Sequence, residues 1–130
     1  MLKTLFVKNY ALIDELKVEF DNNFSVITGE TGAGKSIILG ALSLILGQRA
    51  ENKFIKEGTN KCTIEGVFDI ASYNLQPLFI KNDWEYDGDV CIIRREIWLN
   101  GKSRAFVNDS PVYLKDLKVL GERLIDIHSQ

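Results

Sequence analysis

The 130-residue sequence predicts an α/β fold in which a strand runs into a phosphate-binding loop, a helix leaves it, and an antiparallel hairpin follows. Three observations carry this. The stretch GETGAGKS, residues 29–36, has the spacing G-x-x-x-x-G-K-[ST]. A short β-branched run at 24–28 precedes it, and a nearly all-apolar segment at 36–46 follows it. Two strand-like runs then flank Asn100-Gly101, a dipeptide typical of hairpin turns.

In chain order, residues 2–9 (LKTLFVKN) and 16–20 (LKVEF) read as strands. In the second, Leu16, Val18 and Phe20 alternate with Lys17 and Glu19, the period of a half-buried strand. Residues 21–23 (DNN) are turn chemistry. The helix at 36–46 is apolar on most faces, which buries it against a sheet, and Gly47 stops it. Residues 47–61 form a polar connection with room for a helical turn, and 62–70 (CTIEGVFDI) alternate as a strand. Residues 72–89 fit a short helix and a loop. In 112–124, Leu114, Leu117, Val119, Leu120 and Leu124 stand near helical spacing, and LIDI at 124–127 reads as the start of another strand.

Composition narrows the function. Apolar residues make up 45% and charged residues 26%, ordinary for a globular domain, and the net charge of −2 gives no global attraction to nucleic acid. Cys62 and Cys91 stand apart and His128 is the only histidine, so neither a metal site nor a disulfide framework is expected and a reduced, cytoplasmic setting is. The N-terminus carries no signal-peptide pattern, and no run approaches eighteen apolar residues, so no membrane partner is expected. No repeat or linker divides residues 1–130, which read as one domain whose end resembles a cut through a larger one.

The loop residues explain themselves chemically. Glycines let successive N–H groups curl around one phosphate, and the following helix adds its dipole and its unpaired first-turn N–H groups. Gly29, Glu30, Thr31, Gly32, Ala33, Gly34, Lys35 and Ser36 form the candidate nucleotide-binding loop. Lys35 would reach the β- and γ-phosphates and the Ser36 hydroxyl would ligate Mg²⁺. Chance alone would produce the pattern in roughly one in two hundred chains of this length, and the strand and helix around it lower that further. A second acidic residue for the cation is harder to find. Asp69 after GVF and Asp126 after RLI are the nearest candidates, and neither ends a clean apolar run, so the hydrolytic half is expected on chain outside this sequence.

The phrases ITGETGAGKS and LGQRA, the double arginine before G-x-S-R-x-F-x-N, and the closing DIH-x-Q together resemble the RecN family, bacterial double-strand-break repair ATPases related to the SMC proteins. The resemblance covers essentially all of the chain. It implies the N-terminal lobe of an ABC/SMC-type head, with a mixed sheet and an antiparallel hairpin, running from the P-loop to the Q-loop. It further implies ATP and Mg²⁺ as ligands and a C-terminal lobe of the same parent protein that supplies the signature motif and Walker B acids. A second head would join by ATP-dependent dimerisation, and DNA would be reached through the parent protein in a cytoplasmic, nucleoid-associated setting. Gln130 matches the Q-loop glutamine, which approaches Mg²⁺ and the attacking water and so joins Lys35 as a candidate catalytic residue. Lys56 stands where many relatives carry arginine, and Asn9 and Tyr10 where relatives form the edge of the nucleotide pocket.

Blander roles compete for the remaining residues. Tyr10 could stack on adenine, but an aromatic ending a strand more often packs. Arg94, Arg95, Lys102 and Arg104 could face DNA, but charges near a hairpin are more often solvated or paired across strands. His128 is more often structural, Trp84 and Trp98 belong to the core or a lobe interface, and the cysteines are small buried hydrophobes. Two rival readings stand beside the resemblance: a stand-alone P-loop NTPase or kinase, and a non-hydrolysing nucleotide-binding or interaction module.

Overall fold

A computed structural model describes residues 1–20 and 32–128. Six strands form one sheet in the order β2-β1-β3-β4-β5-β6. They are β1 Leu2–Tyr10, β2 Ile13–Glu19, β3 Lys61–Asp69, β4 Val90–Trp98, β5 Ser103–Val107 and β6 Ser110–Val112. Every pairing among them is antiparallel. The helices are α1 Gly32–Ile45, α2 Gln76–Lys81 and α3 Leu114–His128, and a 3₁₀ turn occupies Asn52–Phe54. The strand expected at 24–28 lies outside the described residues.

Side-chain alternation decides which face is covered. Val7, Ile64, Ile93 and Val107 are fully buried on one face, where Ala41, Leu44 and Ile45 of α1 and Leu117, Leu120 and Leu124 of α3 join the same core. The opposite face is charged and half-exposed: Lys61 and Arg94 both reach Glu96, at 3.4 and 3.7 Å, and the Arg94 guanidinium lies 4.3 Å from the Phe106 ring centre. Both sheet edges resist further pairing. β2 carries exposed Asp14, Glu15, Lys17 and Glu19, and β6 is three residues long with Pro111 at its centre.

Two local details stand out. The hairpin between β4 and β5 turns at Asn100-Gly101, as expected. Gly101 N–H donates to Trp98 C=O at 3.0 Å, Trp98 N–H donates to Lys102 C=O at 2.8 Å, and only Gly101 has positive φ, +94°. This is a three-residue loop with glycine in the left-handed bulge position, and Asn100 serves by accepting from the Lys102 N–H through its side chain. The tight two-residue turn sits instead at Asn108-Asp109, where both φ values are positive, +47° and +68°. Secondly, the LIDI segment is helix, not strand: α3 continues to His128. The reason lies in burial, because Leu117, Leu120 and Leu124 are buried while Ile125 is exposed, the 3.6-residue period of one continuous helix.

Cys62 and Cys91 are buried on the sheet, and burial pushes their thiols up from 9.0 to about 11 and about 12 respectively. The unfolded chain therefore loses these protons first, so their contribution is fully present below pH 9.0 and is lost as pH rises through about 11 to 12. Urea midpoints measured at pH 8 and pH 10.5 should show a fall that is shallower in a Cys62→Ala, Cys91→Ala double variant. At pH 8 both thiols should react with Ellman's reagent only after denaturation; ready labelling of the native chain would contradict their burial.

Candidate nucleotide-binding site

The second half of the candidate loop opens α1. Gly32 to Ser36 lie in its first turns, with Gly34 half-buried and Lys35 and Ser36 exposed. Gly29, Glu30 and Thr31 lie outside the described residues, as does Gln130. The first turn of a helix carries N–H groups with no partner inside the helix, and it forms the positive end of the dipole. No acidic side chain occupies that turn of α1, so nothing in it offsets the field offered to an anion.

The far end of α1 is anchored with unusual thoroughness. Gly47, at φ +108°, gives its N–H to Leu44 C=O at 3.3 Å while Gln48 N–H reaches back to Ser43 C=O at 3.1 Å. These are the two bonds of a Schellman cap. Arg95, from β4, adds a side-chain clamp: one terminal nitrogen donates to Leu44 C=O at 2.6 Å and to Gln48 C=O at 2.9 Å, and the other donates to Ser103 Oγ at 2.8 Å. Arg95 is 1% exposed and is the one charged side chain buried among the described residues. Burial lowers its pKa. The sequence held the signal for this, because in CIIRREI the alternation puts Arg95 on the face of Ile93 and Ile97.

The other candidates separate cleanly. Tyr10 is buried, stacks on Phe54 with ring centres 5.8 Å apart, and sets its hydroxyl over Gly40 of α1; it packs. Desolvation, followed by the charge of Cys62, raises its pKa. Asn9 donates to Lys61 C=O at 3.0 Å, and Lys56 Nζ sits 2.6 Å from Asp14 Oδ1, so both tie local segments together. Asp69 ends β3 beside Val90, at the opposite end of β3 from Lys61 and Asn9, and accepts from the Ala71 N–H; it does not stand by the phosphate helix. Asp126 and His128 fall in the last turns of α3. Of the basic residues near the hairpin, Arg95 points inward, Arg94 lies 3.3 Å from Asp109, and Arg104 and Lys61 lie 5.8 and 5.2 Å from the Trp98 ring centre. Trp84 belongs to the core and Trp98 to the charged outer face.

Among the described residues no three His, Cys, Asp or Glu side chains converge on a metal position, and no helix is long and apolar enough to cross a membrane. A groove of about 240 Å³ runs between α1 and α3, walled by Leu39, Leu42, Leu46 and Ile125, with Lys118 and Glu122 at its side. Leu39 and Ile125 are 46% and 47% exposed.

Comparison with known proteins agrees with this arrangement. The chain is 41% identical over 130 residues to the DNA repair protein RecN of Vibrio cholerae and 39% identical over 131 residues to that of Bacillus subtilis. It is covered entirely in both, yet spans only 24% and 23% of their lengths. Among solved structures it resembles a chain from a study of ATP-driven dimerization and DNA-stimulated activation of SMC ATPases, with a TM-score of 0.71, 18% identity, and coverage of 95% of this chain and 79% of that one. The SMC head domain from Thermotoga maritima gives a TM-score of 0.62 at 22% identity, covering 91% of this chain and 41% of that one. The AAA domain family matches residues 4–125. With its phosphate-loop spacing opening a helix packed on an antiparallel sheet, the chain belongs to the AAA domain family and has the P-loop fold of an ABC/SMC-type head.

Proposed function

We propose that residues 1–130 form the ATP-binding N-terminal lobe of an SMC-like ATPase that acts in DNA double-strand-break repair. The observation that carries this is GETGAGKS leading into α1 in a chain similar throughout to proteins named DNA repair protein RecN. Lys35 and Ser36 project from the first turns of α1 into solvent, and neither is held by a described carboxylate. This suits a lysine that reaches β- and γ-phosphate oxygens and a hydroxyl that ligates Mg²⁺. The cation would supply neutralisation of charge on the phosphate oxygens. Lys35 would add to it electrostatically, and the first-turn N–H groups of α1 would hold the phosphates in line. Gln130 would orient the attacking water.

Hydrolysis would need acidic groups that the described residues do not bring to the first turn of α1, and these would come from a C-terminal lobe of the same parent. The groove between α1 and α3, where Leu39 and Ile125 are half exposed, offers a place for such a lobe to dock. A second ATP-bound head and DNA would join at the level of the whole protein.

Titration with a fluorescent ATP analogue and Mg²⁺ tests the reading. Saturable binding is expected, weakened about tenfold or more by Lys35→Ala, which corresponds to at least about 1.4 kcal/mol. Equal binding by the variant would remove the phosphate role from this loop. The rival module that binds without turnover is separated by adding the remainder of the parent chain, which should restore ATP hydrolysis.

A further inference from the structure

We propose that Arg95 is a positioning residue for the phosphate helix, fixing from β4 where the N-terminal end of α1 stands; this rests on the nucleotide-binding reading above. A guanidinium buried to this degree is expensive to desolvate, and an apolar side chain of similar size would fill the same space without that cost. What it gains is three hydrogen bonds to three separate segments: Leu44 in the last turn of α1, Gln48 beyond the helix, and Ser103 on β5. Among the described residues it has no carboxylate partner, and its Nε makes no hydrogen bond. Its compensation is therefore the negative end of the helix, and α1 has no basic residue of its own in its last turn. Arg94, one residue earlier, shows the contrast by pairing with Glu96 and Asp109 on the outer face.

A helix transmits axial displacement as a rod. At about 1.5 Å per residue, α1 carries any shift at Leu44 undiminished to Lys35 and Ser36. Sites that grip phosphates depend on placement at the ångström scale. The same side chain also holds Ser103, and β5 continues through β6 into α3, the helix that leads toward Gln130. Arg95 thus sets the phosphate helix and the α3 branch against one common strand.

Arg95→Met, Arg95→Lys and Ser103→Ala test this, with Mg²⁺ and a fluorescent ATP analogue as the probe and all measurements well below each variant's melting temperature. Arg95→Met should weaken binding about tenfold, with Arg95→Lys and Ser103→Ala in between. Phe79→Leu, a core change packed on Trp84 and Tyr86 and chosen for a comparable loss of melting temperature, should leave the affinity unchanged. Affinity within twofold of the parent in Arg95→Met, or an equal loss in Phe79→Leu, overturns the proposal. Amide exchange judges the clamp independently of nucleotide: Arg95→Met should speed exchange at the Leu46, Gly47 and Gln48 amides about tenfold while β1–β3 amides keep their rates. Unchanged exchange overturns the clamp even if nucleotide binds. Faster exchange in Arg95→Met, together with an unsubstituted chain that binds no nucleotide, upholds the clamp and overturns the phosphate reading.

Discussion

Gly47→Ala should lower folding stability by about 2–5 kcal/mol, the sum of a left-handed backbone strain of about 1–2 kcal/mol and an overpacking cost of about 1–3 kcal/mol. The strain arises because Gly47 adopts φ +108° in the cap of α1. The overpacking arises because an added Cβ would stand 2.6 Å from Lys118 Cα, a backbone atom that can yield only if α3 moves. For a chain of this size the melting temperature should fall by roughly 10 °C. Gly121→Ala, on the facing helix, is the informative companion. There the new Cβ would run into the Leu46 C=O oxygen, but alanine regains about 1 kcal/mol of helix propensity. The clash with a backbone atom outweighs that gain, so Gly121→Ala should also destabilise. Thermal melts of both variants check this; two neutral variants would mean that α1 and α3 do not approach this closely.

Phe79→Ala should cost about 3–5 kcal/mol, the range for deleting a fully buried aromatic ring. Phe79 is 0% exposed on the six-residue α2, and its ring meets Trp84 edge-on at 5.5 Å and Tyr86 at 5.3 Å. So short a helix has little stability of its own, and this aromatic cluster holds the whole segment between β3 and β4 in place. The change should therefore lower the urea midpoint sharply and shift Trp84 fluorescence to the red as its edge partner is removed. A blue-shifted or unmoved spectrum with normal stability would show that the cluster is not the anchor of this segment.

Much of the fold was legible in the sequence because its strands alternate and its P-loop helix does not. β1, β2, β3 and the β4–β5 hairpin fall where alternating runs stood, and α1 ends at the glycine that was read as its stop. The misreading of LIDI has a physical cause: short windows carry two periods at once. LIDI is as apolar as a strand, and only the burial of Leu124 in register with Leu117 and Leu120, with Ile125 exposed, marks it as part of α3. Asn100-Gly101 marked the β4–β5 hairpin, and the chain turns there through a three-residue loop with Gly101 at positive φ. At the candidate site, spacing names Lys35 and Ser36 as candidates, since phosphate chemistry fixes residue types at fixed intervals, and the structure sets both, exposed, in the first turns of α1. Arg95 was misread as a surface charge because composition says basic while alternation says inward, and only the structure shows that the helix end awaits it.

The strand order also dictates when the phosphate helix can take shape. β3, β4 and β5 each pair with the next strand in sequence, so that meander assembles through neighbouring contacts. β1 instead reaches across to β3, joining Asn9 to Lys61 over a separation of 52 residues, and α1 lies inside the loop so closed. Such long-range closure carries an entropic cost before its contacts reward it, which makes it the slow step relative to hairpin formation. During synthesis, then, Lys35 and Ser36 emerge early but find no sheet to rest on until β3 and the Arg95 strand have followed them. The candidate phosphate helix is encoded near the beginning of the chain and set in place near the end of its folding.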